Sequence, residues 1–266
     1  AAQTSKSLKN ALEAVYAANT ERILIYQSTI RPSSLFNRET PYSFKYIKLA
    51  GGYSNFTFKV CLSAGISYIS RIPGNGTELF IDRRAEWHNA CIAAELGLNP
   101  PILVSDKQGS QLSLYVDQAQ PLQPELLHRQ PHYLADIALQ LRTLHQSEKK
   151  FYNDANSFQR IKAFYTLIQQ KKYFLPAAYL PIGEATVKLA ELFVHLNIPQ
   201  VPCHNDTYYN NFLLSKGRLW LIDWEYSGTN DPIWDLAYFA NLAGLNAQQK
   251  QSLLTAYFQC DKIEDK

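Results

Sequence analysis

The sequence contains no methionine, an absence that predicts a processed or trimmed start. Cysteine is scarce as well: Cys61, Cys91, Cys203 and Cys260 lie far apart, with no C-x-x-C pair. That spacing argues against a disulfide framework or a cysteine zinc site, and for buried free thiols in a reducing compartment. No apolar stretch approaches the ~18 residues that a membrane span requires. The beginning, "AAQTSKSLKNALEAVYAANTERILIY", is charged throughout and has no apolar core, so no signal peptide is expected. Runs of one charge are missing too. The net charge of +3 is scattered and gives no case for nucleic-acid or membrane-surface binding. No repeat or low-complexity segment is visible. What remains is an ordinary globular composition, 46% hydrophobic and 18% charged, over 266 residues. That length suits one large domain or two modest ones, and a cytoplasmic protein is expected.

The first half reads as strands with one good helix. "NFTFKV" alternates, placing Phe56, Phe58 and Val60 on one face. "SAG" offers a turn and "ISYISRI" a returning strand. "RRAEWHNACIAAELG" has apolar residues at helical spacing, with Gly97 placed to stop it. "SLYVD" looks like another short strand. From "PELLHRQPHYLADIALQLRTLH" onward the pattern is mostly helical, including "GEATVKLAELFVHLN". The shift in composition at Asp117 to Pro121 suggests a hinge, dividing residues 1–117 from residues 118–266.

One hairpin interrupts the helical half. "NFLLSKGRLWLID" holds two apolar strands around Lys216-Gly217, a pair suited to positive φ. If those two residues are the loop, Ser215 pairs with Arg218 and the ladder runs back to Asn211 opposite Ile222, though the register can slip by one residue. In either register Asn211 and Asp223 finish at the same open end, roughly 5 Å apart across the strands. Asp206 lies on the segment feeding that end, within "VPCHNDTYYNNFLL". Asn and Asp make turns readily. Two carboxylates and an amide oxygen at a single rim also form the set a hard divalent cation such as Mg²⁺ takes, leaving its other positions to water and phosphates.

His204, Asp206 and Asn211 in H-x-D-x-x-x-x-N, followed by the Asp of "LIDWEYSGTNDPIWDLA", resemble the choline kinase and aminoglycoside phosphotransferase family. "LAGGYSNFTFKV" resembles that family's nucleotide loop, and "YISRIPG" the strand whose basic residue meets the phosphates. The resemblance spans roughly residues 48 to 240 and is nearest to bacterial choline kinases; residues 1–40 match nothing. It implies an α+β, two-lobed protein-kinase-like fold, with a small antiparallel-sheet nucleotide-binding lobe and a larger, mainly helical catalytic and acceptor-binding lobe. It also implies an enzyme that uses ATP and Mg²⁺ to phosphorylate a small-molecule hydroxyl. Asp206 would accept or orient the hydroxyl proton, and Asn211 and Asp223 would hold Mg²⁺. Arg71, fixed by Glu86, would grip phosphate oxygens, while Gly51, Gly52, Tyr53, Ser54 and Asn55 would cover them. Lys59 is a rival for the phosphate grip. His204 reads as holding the loop through backbone bonds, Asp235 as capping a helix start and bracing the loop, and His145 as a buried, bonded histidine.

The acceptor is less constrained. The chain has 17 Tyr, 13 Phe and 4 Trp, several of them near the motif: Tyr208, Tyr209, Trp224, Tyr226, Trp234 and Tyr238, with Glu225 among them. A quaternary ammonium donates no N–H bond and relies on aromatic faces and nearby negative charge. Choline is therefore the expected substrate, bound by Trp224, Glu225 and Trp234 beside Asp206; ethanolamine, thiamine and an aminoglycoside are the alternatives. From other classes, a nucleotide-binding pseudokinase or a metal-dependent hydrolase using His204, Asp206 and Asp223 stays open.

Overall fold

The computed structural model describes residues 44–49, 54–62 and 65–259. Expectations for residues 1–40, for Gly51, Gly52 and Tyr53, for the turn at Ser63 and Ala64 and for Cys260 fall outside the described residues. The chain divides into two compact units, residues 1–118 and 119–266.

In the first unit five antiparallel strands form one sheet in the order β1-β2-β3-β5-β4. They are β1 Phe44–Lys48, β2 Asn55–Leu62, β3 Ser67–Pro73, β4 Ile102–Ser105 and β5 Gln111–Leu114. The β2–β3 pairing runs from Asn55 opposite Pro73 to Cys61 opposite Ser67, and sets Arg71 beside Thr57. Of the face expected from alternation, Val60 and Phe58 are buried (0% and 7% exposed) but Phe56 is 46% exposed. The Lys48 ammonium sits 5.3 Å above its ring.

Helix α1, Arg83–Glu95, begins at Asp82, whose carboxylate accepts from the N–H groups of Arg84 and Ala85. Such a cap satisfies donors that the first turn leaves over. The helix stops where predicted. Gly97 takes φ +74°, and its N–H returns to the Ala94 carbonyl at 3.0 Å. Cys61, Cys91 and Cys203 are free thiols.

The second unit is built on helix α3, His132–His145, which buries Leu134, Ile137, Ala138, Leu141 and Leu144 at 1% exposure or less. The continuous helical pattern read over Pro124 to His145 is in fact two helices, α2 Pro124–Arg129 and α3. Pro131 explains the break: it has no N–H to donate, and it pushes Gln130 out of the helical region, to φ −134° and ψ 77°. Helices α4 Ser157–Gln170, α5 Tyr179–Leu196, α6 Pro232–Leu242 and α7 Ala247–Phe258 complete the helical part.

Two small sheets accompany them. Strands β6 Gln120–Pro121, β8 Phe212–Ser215 and β9 Arg218–Leu221 form one, and β7 Val201–Cys203 with β10 Gly228–Asn230 the other. The β8–β9 hairpin has the expected register, Ser215 opposite Arg218 and Phe212 opposite Leu221. Lys216 and Gly217 both take positive φ, +49° and +78°. One step past the strands, the Ile222 N–H bonds the Asn211 carbonyl at 2.9 Å. Phe212 and Leu221, both wholly buried, anchor the hairpin to the core and so fix where its open end lies.

Candidate functional site

The loop from His204 to Asn211 enters from β7 and leaves into β8. Asn211 closes it from within: its Nδ2 donates to the Asp206 carbonyl at 2.8 Å and to Asp206 Oδ2 at 3.0 Å. Both amide hydrogens are thus directed at Asp206, leaving Oδ1 as the acceptor end of Asn211. Asp223 stands two residues past the end of β9 and takes a left-handed conformation, φ 71° and ψ 65°, which turns the chain at the hairpin mouth. An amide oxygen and a carboxylate are hard donors suited to Mg²⁺, so the residues present fit that ion.

His204 is structural, as the sequence reading has it. It is fully buried; its Nδ1 accepts the Asp206 N–H at 3.2 Å, so its Nε2 carries the hydrogen donated to the Ile222 carbonyl at 2.9 Å. One ring therefore ties the loop to the hairpin. Both nitrogens are occupied, which removes His204 as a base for hydrolysis.

Asp235 braces the same loop from α6. Its Oδ2 accepts the His204 N–H at 2.8 Å and its Oδ1 the Asn205 N–H at 2.7 Å. It is not the helix cap, contrary to expectation: Asp231, just before the Pro at the first helical position, caps α6 by accepting from Ile233 N. Behind Asp235, His145 Nε2 donates to Oδ2 at 3.1 Å and its Nδ1 meets the Tyr257 hydroxyl at 2.7 Å. Burial, with Cys203 and Asp235 nearby, pushes the Tyr257 phenol up to about 12. The ligating atoms of His145, Cys203 and Asp235 lie within 4.8 Å of one another. They are already bonded: Cys203 Sγ reaches the Asn230 carbonyl at 3.5 Å. Burial first, then the charge of Asp235, pushes that thiol up, and the bonds of the three residues brace the loop.

Around Asp206 the second unit gathers tyrosines. The Tyr238 phenol lies beside the Asp206 carboxylate; burial first, then the charge of Asp206 and its capacity to accept from the hydroxyl, push the phenol up to about 12. Tyr226 is raised by burial first and then by Glu225 and Asp206, with Arg160 opposing. The Arg160 guanidinium lies 5.0 Å over the Tyr226 ring and its Nη2 bonds the Tyr226 carbonyl at 2.9 Å. Burial lowers Arg160, while Tyr226 and Asp206 hold it up. The Tyr208 and Tyr209 hydroxyls meet at 3.0 Å.

Trp224 must be removed from the acceptor wall. It is 1% exposed, its indole N–H bonds the Leu221 carbonyl at 3.0 Å, and its ring meets those of His204 at 4.6 Å and Phe151 at 6.2 Å. An indole so enclosed is core and offers no face to a ligand. Glu225 is buried at 9% exposure in the 3-10 turn Trp224–Tyr226, where its charge acts on Tyr226. Trp234 is partly exposed on α6, four residues before Tyr238 and so on the same helix face.

In the first unit, Arg71 Nη1 pairs with Glu86 Oε1 at 2.7 Å, joining strand β3 to helix α1 as expected. Arg83, which sequence reasoning missed, pairs with the other oxygen, also at 2.7 Å, and donates to Thr77 Oγ1. Its position three residues before Glu86 on one helix was the available signal. Lys59, the rival phosphate group, holds its ammonium 3.7 Å from the Tyr115 ring centre. Asn55 Nδ2 bonds Ser54 Oγ at 2.9 Å, and the Gly74 N–H bonds the Ser54 carbonyl at 2.7 Å. A Cβ on Gly74 would stand 3.0 Å from that carbonyl oxygen, a tight contact, so the β3 end and the segment leading into β2 approach closely at a glycine.

Comparison with known proteins agrees with this geometry. The family model described as choline/ethanolamine kinase matches residues 46–263. Protein LicA of Haemophilus influenzae is 31% identical over 233 residues, 85% of this chain and 66% of that protein's length. The crystal structure of LicA in complex with AMP superposes with TM-score 0.71 at 29% identity, covering 89% of this chain and 79% of the other. Choline kinase LicA from Streptococcus pneumoniae gives TM-score 0.71 at 28% identity, covering 90% and 80%. Among the described residues no helix is long and apolar enough to cross a membrane. The match over most of the chain, on a fold that carries H-x-D-x-x-x-x-N at the mouth of a hairpin, shows that this α+β chain belongs to the choline/ethanolamine kinase family of small-molecule kinases.

Proposed function

We propose that the chain transfers the γ-phosphoryl group of ATP to the hydroxyl of choline, giving phosphocholine and ADP. Asp206 orients the hydroxyl and takes up its proton as the new O–P bond forms and the bond to the ADP oxygen breaks. Asn211 Oδ1 and Asp223 would hold Mg²⁺, which when bound neutralises charge on the phosphate oxygens. Arg71, held by Glu86 and Arg83, grips phosphate, and Gly51 to Asn55 cover it. Residues 1–117 then serve the nucleotide and residues 118–266 the acceptor. The AMP complex of LicA supports an adenine nucleotide as donor.

The observation that carries this reading is the bonding of Asp206. One of its oxygens is held by Asn211 at 3.0 Å, and the Tyr238 phenol lies beside the carboxylate. A carboxylate fixed in that way is a positioned proton acceptor, which is what a reaction dominated by alignment requires. Tyr226, Tyr238 and Trp234 supply rings and Glu225 negative charge, the chemistry that suits a trimethylammonium group.

The test is ATP consumption with Mg²⁺ across choline, its dimethyl and monomethyl analogues, and ethanolamine. kcat/KM should fall as methyls are removed, and Asp206→Asn should lower kcat by about 10²- to 10⁴-fold with ATP affinity little changed. A preference for ethanolamine would transfer the proposal to that alcohol; near-normal turnover in folded Asp206→Asn would remove Asp206 from its role.

A further inference from the structure

Between the histidine and aspartate of the loop stands Asn205, with φ +65°, a region in which most side chains are strained but asparagine is tolerated. It is 6% exposed, and every polar atom of its side chain has a partner. Asn230 Nδ2 donates to its Oδ1 at 2.7 Å. Its own Nδ2 donates to the carbonyls of Tyr226 at 3.1 Å and Gly228 at 3.4 Å. Its backbone N–H goes to Asp235. Asn230 is oriented in turn by a bond to Ser157 Oγ at 2.9 Å, at the start of α4. The Tyr226 carbonyl also accepts from Arg160, whose guanidinium covers the Tyr226 ring.

These bonds fix the order of donors. Because Asn230 presents an N–H, the Asn205 oxygen must face it, and the Asn205 amide hydrogens must face the Tyr226–Gly228 backbone. Aspartate matches the size but lacks the hydrogens, and would set a carboxylate against two carbonyl oxygens. Serine is too short to reach three partners. The left-handed backbone at Asn205 sets the direction in which the chain delivers Asp206, while the side chain binds that turn to the backbone carrying Tyr226.

We infer that Asn205 is a positioning residue which holds the Asp206 carboxylate in register with the Tyr226 side of the acceptor site. It touches neither nucleotide nor acceptor. Its effect is on the relative placement of the group that orients the hydroxyl and the group that borders the substrate. This rests on the kinase reading above and goes beyond it, since nothing in that reading assigns Asn205 a part. A misplacement of about 1 Å between reacting groups can cost ~10²-fold in rate.

The experiment compares Asn205→Gly and Asn205→Asp with wild type, measuring kcat, KM for the alcohol, KM for ATP and cooperative unfolding. Glycine accepts φ +65° without strain, so that variant keeps the turn and loses only the side-chain bonds. Both variants should lose kcat by roughly 10- to 100-fold with KM for ATP within about twofold of wild type, and aspartate should be no better than glycine. If aspartate restores kcat, side-chain bulk alone matters and the inference fails. It fails equally if folded Asn205→Gly keeps wild-type kcat, or if the loss appears in KM for ATP. Should either variant unfold, Asn230→Ala decides: a kcat loss with unchanged KM for ATP supports the inference, and wild-type kcat overturns it. Wild-type turnover with choline tests the functional reading separately; the variant ratios are taken on whichever amino alcohol wild type uses best.

Discussion

Replacing Glu86 by Gln keeps the shape of the side chain and removes the charge that two arginines share. The Glu86 side chain is 1% exposed, and each of its oxygens meets one guanidinium at 2.7 Å. Glutamine offers one acceptor oxygen in place of two, and turns N–H donors toward the other guanidinium. Like charges about 4 Å apart repel by about 4 kcal/mol at an effective dielectric of 20, and removing one side of a buried pair costs about 3–5 kcal/mol. Glu86→Gln should therefore lose about 3–5 kcal/mol of stability. Arg71→Gln leaves Glu86 still paired with Arg83 and removes one charged hydrogen bond, about 1.5–3 kcal/mol. The true loss lies low in that range, because the Arg71 side chain is 17% exposed and solvent screens it. Arg83→Gln should fall between the two, since Arg83 is 9% exposed and also bonds Thr77. The expected order of cost is Arg71, then Arg83, then Glu86. Urea unfolding followed by circular dichroism measures it. The Arg71→Gln, Glu86→Gln double variant should be less destabilised than the sum of the singles, by about 1–3 kcal/mol. Equal costs for Glu86→Gln and Arg71→Gln, or simple additivity, would refute the shared-carboxylate account.

Much of this geometry was legible because local rules forced it. The β8–β9 register followed from Lys216-Gly217, where two consecutive positive φ values leave the chain one economical way to turn. The end of α1 followed from Gly97, and the Arg71–Glu86 pair from a strand and helix matched to a motif. Elements of two to four residues, such as β4, β6, β7 and β10, escaped because so short a run shows no period. The strand read as "SLYVD" in fact lies two residues earlier, at β5 Gln111–Leu114. Pattern also could not separate Trp224 from Trp234: both flank the motif, but only the packing of His204 and Phe151 buries the first. The assignment of the α6 cap to Asp235 overlooked the stronger local signal, an Asp immediately before Pro232. Arg160, Asn205 and Asn230 were out of reach for another reason. Their partners lie 66, 21 and 73 residues away along the chain, and only the folded chain brings them together.

Asp223→Ala should abolish the stabilisation that ATP with Mg²⁺ gives in thermal-shift titration, since it removes a proposed ligand; an unchanged response contradicts the assignment. Trp224→Ala should cost about 3–5 kcal/mol in stability while choline stays preferred over ethanolamine. A folded variant that loses this preference would return Trp224 to the acceptor wall. Tyr238→Phe keeps the ring but removes the hydroxyl beside Asp206, so kcat should fall about tenfold with KM for choline changed less than threefold; a large KM change with kcat intact contradicts this. The last prediction concerns alkaline pH. The Tyr238 and Tyr257 phenols are raised from the ordinary value of 10.0 to about 12. The folded state therefore favours the protonated phenol, and this contribution to stability is complete below pH 10. It is lost as pH rises through about 12, because the unfolded chain releases its protons first. Tyr257→Phe cannot titrate, so it should be less stable than wild type at pH 8, having lost the bond to His145, yet decline less steeply between pH 10 and 12. Urea midpoints measured at intervals from pH 8 to 11.5 test this directly, and parallel declines in variant and wild type would show that the buried phenol is not the group responsible.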